Sequence, residues 1–193
     1  MFAAAAILVI FLLSALIMQQ PLSVSAEGVL ENPVGPTLLF LLAAVGELLL
    51  LPGFLALYFS LKDVKKTPMF IATGLLAVGV TMFLASRGLI ISLSQISGRY
   101  METTSETMKA AYLASAELAI ETQNIYATMG LILLCVASII IGLVMLKGVF
   151  GKRIGYLVIA SGILTIFPPV GLTLMAIWQL IVGVKLFKLG KNV

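Results

Sequence analysis

The sequence contains no histidine, a single cysteine and very little charge. Without histidine, the chain lacks the side chain that most often acts as a general base or binds zinc. Cys135 has no second cysteine with which to form an internal disulfide, and its apolar surroundings are typical of a packing residue. No serine has a base beside it, and no glycine-rich loop precedes Lys-Ser or Lys-Thr. The sequence therefore predicts a protein that is not an enzyme, with no catalytic residues, no metal site and no cofactor.

Charged residues are few in relation to apolar ones. Only 10% of the residues are charged and 61% are hydrophobic, whereas soluble domains contain about 25% charged residues. Several apolar runs exceed the ~18 residues that indicate a transmembrane helix. We therefore expect an all-α polytopic helical bundle that forms one integral membrane domain over residues 1–193. We expect the protein to contact the lipid bilayer and to associate with a second copy of itself or with another membrane protein. We expect no nucleic acid partner.

The first apolar run, residues 2–18, has two interpretations. Val24-Ser25-Ala26 resembles the cleavage site of a secretory signal peptide, which would make residues 1–26 removable. However, the run is longer than a usual signal core, and no Lys or Arg precedes it. Retention as a first transmembrane helix is slightly favoured, and the mass of the mature protein would distinguish the two.

Five further apolar segments predict six spans in total, or five if the first segment is cleaved. They cover residues 37–61, 69–94, 126–146, 154–167 and 170–187. Because the segment 154–167 is short for a full crossing, a re-entrant hairpin of the last two segments is the main alternative. Pro52-Gly53 should kink the helix of segment 37–61, since proline lacks the N–H that would bond the Leu48 carbonyl.

The longest polar stretch, residues 95–122, predicts an extracytoplasmic loop with an extra amphipathic helix on the outer face. Thr103 and Glu106 have the three-residue spacing of a capping box. The alanine-rich sequence that follows favours helix, either lying on the outer face or continuous with the next span. A single helix over residues 106–146 would be ~60 Å long, about twice the hydrocarbon thickness, and would have to bend or protrude.

Basic residues are concentrated in alternate loops, which predicts how the chain is threaded. Nine of the twelve fall in segments that would be cytoplasmic: Lys62, Lys65, Lys66, Lys147, Lys152, Arg153, Lys185, Lys188 and Lys191. Such loops remain on the cytoplasmic side, so we expect a cell-membrane protein with cytoplasmic N- and C-termini if the first helix is retained. Six of the eight acids fall on the other side: Glu27, Glu31, Glu102, Glu106, Glu117 and Glu121.

Two charges lie inside apolar segments, where charges are costly. Glu47 and Arg87 are expected at comparable depth on neighbouring antiparallel spans, with Gln179 in the same polar layer of the outer half. Intramembrane charges find partners or mark transport paths. One interpretation is a proton, ion or substrate site, which the helix break at Pro52 supports. The other, which we favour, is a buried pair that fixes the register of two helices.

Two short motifs carry a resemblance to known proteins. KGVFGKRIGY, residues 147–156, follows the fourth span, and WQLIVGVKLFK, residues 178–188, ends the last one. Over residues 52–190 the chain resembles the small multi-pass membrane proteins of a bacterial and archaeal domain-of-unknown-function family. The resemblance implies a prokaryotic cell membrane and a helical bundle, and it implies no activity. The predicted function is that of a non-enzymatic accessory, sensory or assembly bundle, and the alternative is a small transporter or channel.

Overall fold

The computed structural model describes residues 25–148, 150–165 and 167–190, and these ranges contain helices and no strands. The helices are α1 Ala26–Glu31, α2 Val34–Leu61, α3 Lys66–Glu102, α4 Glu106–Met145, α5 Lys152–Leu164 and α6 Pro168–Gly190. The prediction of an all-α fold is confirmed for this part of the chain. The first apolar run, predicted as a span or signal peptide, lies outside the described residues.

Three of the helices, α2, α3 and α4, are long and apolar enough to cross a membrane. On α2, exposed apolar side chains recur at helical spacing along one face: Val34, Leu38, Leu41, Val45 and Leu48. A continuous apolar surface of this kind is rare on a soluble monomer, and it fits a helix whose outer face contacts lipid. The membrane class is therefore supported. The prediction of six spans is not, because three candidates are found within the described ranges.

The predicted fifth span, residues 154–167, is a shorter helix than expected. Helix α5 has 13 residues, which gives a length of ~20 Å against ~30 Å for the hydrocarbon core. It ends before Pro168-Pro169, because a proline cannot continue a helix but is tolerated in the first turn of the next one. Helix α6 then runs back until Lys185 Nζ donates a hydrogen bond to the Phe150 carbonyl at 3.0 Å. The hairpin of α5 and α6 thus returns to the end of the bundle where it began.

The loops that carry most of the basic residues meet at one end of the bundle. A Cβ added to Gly148 would lie 3.0 Å from Leu61 Cδ2 and 3.4 Å from Val64 Cγ2, so the loop after α4 packs on the loop after α2. The contact of α6 with Phe150 adds the third segment. We call this the basic end; its described members are Lys62, Lys65, Lys66, Lys147, Lys152, Arg153, Lys185 and Lys188.

Helices α3 and α4 extend far beyond the spans predicted for them. They contain 37 and 40 residues, or ~55 and ~60 Å, so nearly half of each exceeds a ~30 Å hydrocarbon core. Only Thr103–Ser105 separate them. The polar stretch 95–122 is therefore a helical hairpin continuous with two of the candidate spans, and no separate amphipathic helix is present there. We call this projecting end, opposite the basic end, the acidic end.

The predicted capping box at Thr103 is wrong. Helix α4 begins at Glu106, and the residue before it, Ser105, makes no capping hydrogen bond. The Ser105 hydroxyl instead forms a hydrogen bond with the Thr107 hydroxyl at 2.9 Å. The hydroxyl pairing of these two residues thus replaces the side-chain cap that the sequence spacing predicted.

Two apolar clusters hold the helices together. The basic-end cluster is the larger, and its most deeply buried members include Leu57, Leu61, Met69, Leu76, Ile141 and Met145. The acidic-end cluster joins α1 to α2, α3 and α4 through Val29, Leu30, Phe40, Ile90, Leu93 and Ala116. The Ser97 hydroxyl of α3 also donates a hydrogen bond to the Leu30 carbonyl at 2.5 Å, which fastens α1 to the hairpin.

Glycines allow two close helix contacts, as small residues do between membrane helices. A Cβ at Gly79 would lie 3.3 Å from the Gly130 carbonyl oxygen, at the crossing of α3 and α4. A Cβ at Gly142 would lie 2.8 Å from the Gly155 carbonyl oxygen, where α5 packs on α4. By contrast, a Cβ at Gly88 would meet no atom of the described residues within 4 Å, so this glycine makes no close contact with them.

Candidate functional site

Helical spacing places Glu47 on the buried face of α2. Its buried neighbours on that face include Phe40, Ala43, Leu50 and Phe54, which recur every three or four residues. A residue at any of these positions points toward α3 rather than lipid. The glutamate is therefore directed into the bundle by the same periodicity that builds the core.

Arg87 meets Glu47 across the contact between α3 and α2. Its Nη2 lies 3.2 Å and its Nε 3.3 Å from the same carboxylate oxygen, Oε1. The side chains of Arg87 and Glu47 are only 13% and 8% exposed. The distances exceed the ~2.7–2.9 Å of short charge-assisted hydrogen bonds. The structure thus brings together the two intramembrane charges that the sequence singled out.

Two aromatic rings hold the arginine from its other sides. The guanidinium carbon lies 5.2 Å from the centre of the Phe40 ring and 5.6 Å from that of Phe83. A cation near an aromatic face gains about 0.5–2 kcal/mol, more when it is removed from water. Neither Phe40 nor Phe83 was predicted from the sequence to take part in the site. Helical spacing could have found them, since Phe83 precedes Arg87 by four residues and Phe40 precedes Glu47 by seven.

A glycine on α4 makes room for one of these rings. A Cβ added to Gly130 would lie 3.0 Å from two ring carbons of Phe83 and 3.1 Å from the Gly79 carbonyl oxygen. The close crossing of α3 and α4 therefore fixes the ring that packs beside Arg87. Contacts continue from α4 through Phe83 and Arg87 to Glu47 of α2.

The second carboxylate oxygen of Glu47 lies in a different environment. Oε2 is buried, and no hydrogen-bond partner is found for it in the part of the chain that the structure describes. A buried polar atom without a partner costs about 1–3 kcal/mol, and more if it is charged. This oxygen is therefore the atom of the pair that remains available to a proton, an ion or a water molecule.

The pair is enclosed above and below by apolar side chains. Phe83 and Leu50 belong to the basic-end cluster. Phe40 and Ile90 belong to the acidic-end cluster, which also contains residues of α1. The ion pair thus lies between the two clusters.

Gln179, the third residue of the predicted polar layer, lies at another depth. It precedes Lys185, which contacts the basic end, by six residues, or ~9 Å. Glu47 precedes Leu61, which lies at the same end, by 14 residues, or ~21 Å. Gln179 is buried, and its Oε1 accepts no hydrogen bond from the described chain. The structure brings Glu47 and Arg87 together, whereas these counts place Gln179 nearer the basic end.

The predicted kink at Pro52-Gly53 lies within an uninterrupted helix. Residues Val34–Leu61 form a single α-helix with Pro52 inside it, exposed to the surroundings of the bundle, and Gly53 buried. Because proline has no N–H, the Leu48 carbonyl loses its usual partner one turn before. The bend at this position stays a prediction.

Comparisons with known proteins identify no relative. No family model matches the chain, and neither a curated protein nor a solved structure matches it. Among the residues that the structure describes, no group of three or more Cys, Asp or Glu side chains could hold a metal ion. The interpretation of the site therefore depends on its own geometry.

Proposed function

We propose that the protein is a non-enzymatic accessory, sensory or assembly protein of the membrane, in which the Glu47–Arg87 pair has a structural role. The observation that supports this role is the enclosure of the ion pair between two apolar clusters, with side-chain exposures of 8% and 13%. A pair of opposite charges held in this way fixes which faces of two helices meet. The projecting hairpin of α3 and α4 is then the surface through which the protein contacts other molecules.

The proposal requires that Glu47 is not needed for the passage of solutes. Purified protein is reconstituted in liposomes, and proton, sodium, potassium and chloride flux are compared for wild type, Glu47→Gln and empty liposomes. We expect equal flux in all three samples. Flux that is above background in the wild type and abolished in Glu47→Gln would contradict the structural role, provided that the variant inserts and folds as the wild type does.

A small transporter or channel is the second candidate, and one observation favours it. Glu47 Oε2 is buried and has no hydrogen-bond partner among the described residues, and intramembrane carboxylates of this kind serve as proton relays in many pumps. In that case Arg87 would act as the counter-ion, and protonation of Glu47 would release it. The liposome experiment distinguishes the two candidates.

We further propose that the basic end is cytoplasmic and the acidic end extracytoplasmic, in a cell membrane. The eight described basic residues at one end fit the retention of Lys- and Arg-rich loops in the cytoplasm. Helices α2, α3 and α4 would cross the bilayer, and α5 is short enough for the hairpin of α5 and α6 to enter and leave on the cytoplasmic side. The resemblance to prokaryotic multi-pass proteins agrees with this location and stays a prediction.

This threading can be tested with single cysteines in a Cys135→Ala background. A membrane-impermeant maleimide added to intact cells should label Ser105→Cys at the tip of the hairpin. Lys66→Cys, at the basic end, should be labelled only after the membrane is opened. The reverse pattern would show that the orientation is opposite.

A further inference from the structure

A groove of about 300 Å³ lies between α3 and α4 at the acidic end, away from the Glu47–Arg87 pair. Its lining residues are Gln95, Ile96, Arg99, Tyr112 and Ser115. The volume is at the lower limit of ligand sites, about 300–1,000 Å³. A guanidinium, an amide, a phenol and a hydroxyl surround one isoleucine there. The first three can donate hydrogen bonds to an oxyanion, whereas the Ser115 hydroxyl already donates its hydrogen to the Ala111 carbonyl at 2.8 Å.

Arg99 has its charge available for a ligand. The ion pairs of the described chain are Arg87 with Glu47 and Lys109 with Glu106. Arg99 is exposed and takes part in neither. Lys109, the other basic residue described at this end, has its Nζ 3.6 Å from Glu106 Oε1. Arg99 is therefore the cation to which an incoming anion would bind.

The groove lies near the level of lipid headgroups. Gln95 follows Met69, at the basic-end border of the apolar part of α3, by 26 residues, or ~39 Å. Arg99 lies one turn further out. Measured from that border, a hydrocarbon core of ~30 Å puts the outer headgroups at ~30–37 Å. The groove thus opens just beyond the headgroups of the outer leaflet, and the Cα–Cβ bond of Arg99, tilted toward the start of α3 as in any α-helix, directs its side chain back toward them.

One face of α3 changes its chemistry in steps through this region. Gly88, Ser92, Gln95, Arg99 and Glu102 follow at spacings of four, three, four and three, so they share a face, and all five are exposed. From the membrane outward, this face offers an open glycine, a hydroxyl, an amide, a cation and an anion. An aminophospholipid presents its acyl chain, glycerol, phosphate and ammonium in a matching order.

We propose that this groove binds the headgroup of a zwitterionic aminophospholipid, with its phosphate at Arg99 and its ammonium toward Glu102. A soluble anion is disfavoured because glutamates outnumber basic residues at this end and repel it. A lipid is supplied by the membrane at high effective concentration. A purely anionic lipid would leave Glu102 without a partner. This inference requires the acidic end to lie at a membrane surface and is independent of the role of Glu47.

The full-length protein in detergent is titrated with phosphatidylethanolamine, phosphatidylglycerol and phosphatidylcholine of identical acyl chains, and with inorganic phosphate, and bound species are counted by native mass spectrometry. We expect one saturable site with preference for phosphatidylethanolamine. Arg99→Gln should weaken this binding by about tenfold or more, since it removes charge-assisted hydrogen bonds. Glu102→Gln should abolish the preference over phosphatidylglycerol. Gly88→Leu should weaken lipid binding without a change of charge.

Lys109→Gln is the matched control, because it removes the same charge from the same end outside the groove. It should leave phosphatidylethanolamine binding within about twofold of the wild type. Equal losses in Lys109→Gln and Arg99→Gln would show diffuse surface attraction and overturn the proposal. So would tighter binding of phosphatidylglycerol than of phosphatidylethanolamine, competition by inorganic phosphate at comparable affinity, or the absence of any saturable lipid site.

Discussion

The ion pair between α2 and α3 predicts a specific pattern of stabilities in a double-mutant cycle. The variants are Glu47→Gln, Arg87→Met and the combination of both, each of which keeps the side-chain volume close to the original. With side chains 8% and 13% exposed, the pair counts as buried, and loss of one partner of such a pair costs about 3–5 kcal/mol.

Two features of the structure lower this figure. The Nη2 to Oε1 distance of 3.2 Å is longer than in a short charge-assisted bond, and Phe40 and Phe83 still flank Arg87 when Glu47 is replaced. We therefore expect each single variant to lose about 2–3 kcal/mol of unfolding free energy, mostly from the charge left behind. The double variant leaves no charge and should lose about 2 kcal/mol, no more than either single variant. The coupling energy is then about 3 kcal/mol, at the upper end of the usual range.

The assay is unfolding in detergent micelles, followed by circular dichroism. For a chain of this size, a loss of 2–3 kcal/mol lowers the thermal midpoint by roughly 4–12 °C. The control cycle uses Glu106→Gln and Lys109→Gln, because that pair is exposed (39% for Lys109 and 88% for Glu106) and should show a coupling of at most about 0.5 kcal/mol. If the double variant at positions 47 and 87 loses the sum of the two single losses, the charges are independent and the structural role is refuted.

Two further predictions concern contacts that support the pair and its surroundings. Gly130→Ala should destabilise the protein by about 1–3 kcal/mol, since the new methyl group would lie 3.0 Å from the Phe83 ring. Gly88→Ala is its control, because a Cβ there meets no atom of the described residues within 4 Å, and it should be neutral or stabilising by up to about 1 kcal/mol. Equal effects of the two variants would contradict the close crossing of α3 and α4. Ser97→Ala removes the hydrogen bond to Leu30 and should raise amide hydrogen exchange in α1 about fivefold, the equivalent of about 1 kcal/mol. Ser94→Ala is its control, because that hydroxyl bonds within its own helix to Ile91; the same rise in both variants would show that α1 is held by other contacts.

The sequence was sufficient to predict the helical membrane class and the partnership of Glu47 and Arg87. Both predictions follow from general rules for membrane proteins. Apolar runs longer than ~18 residues indicate membrane spans, and charged side chains inside such spans find partners. The grouping of basic loops at one end was also predicted, and the structure shows it through contacts of Gly148 and Lys185.

Features that depend on helix ends and on depth were predicted less well. The apolar runs indicate only the part of a helix that can lie in a membrane. Helix α3 continues through polar residues to its end at Glu102, and α4 begins among polar residues at Glu106, because helix formation needs no apolar side chains. Gln179 was placed by counting from the outer end of a full span. Helix α5 is only 13 residues long, so α6 starts inside the bundle and not at its outer end. Gln179 therefore lies nearer the basic end than a count from the outer end of a full span predicts.

The uninterrupted helices of the α3 and α4 hairpin limit how the two ends of the protein can communicate. Neither helix is broken between the tip of the hairpin and the basic end, so there is no hinge at which the outer part could bend by itself. A force on the tip must tilt or shift the whole hairpin, and a tilt of roughly 5° about one end of a ~60 Å helix moves the other end by about 5 Å. Helix α5, seated on Gly142 of α4, would follow this motion directly. The tip of the hairpin and its other end are therefore parts of one rigid unit.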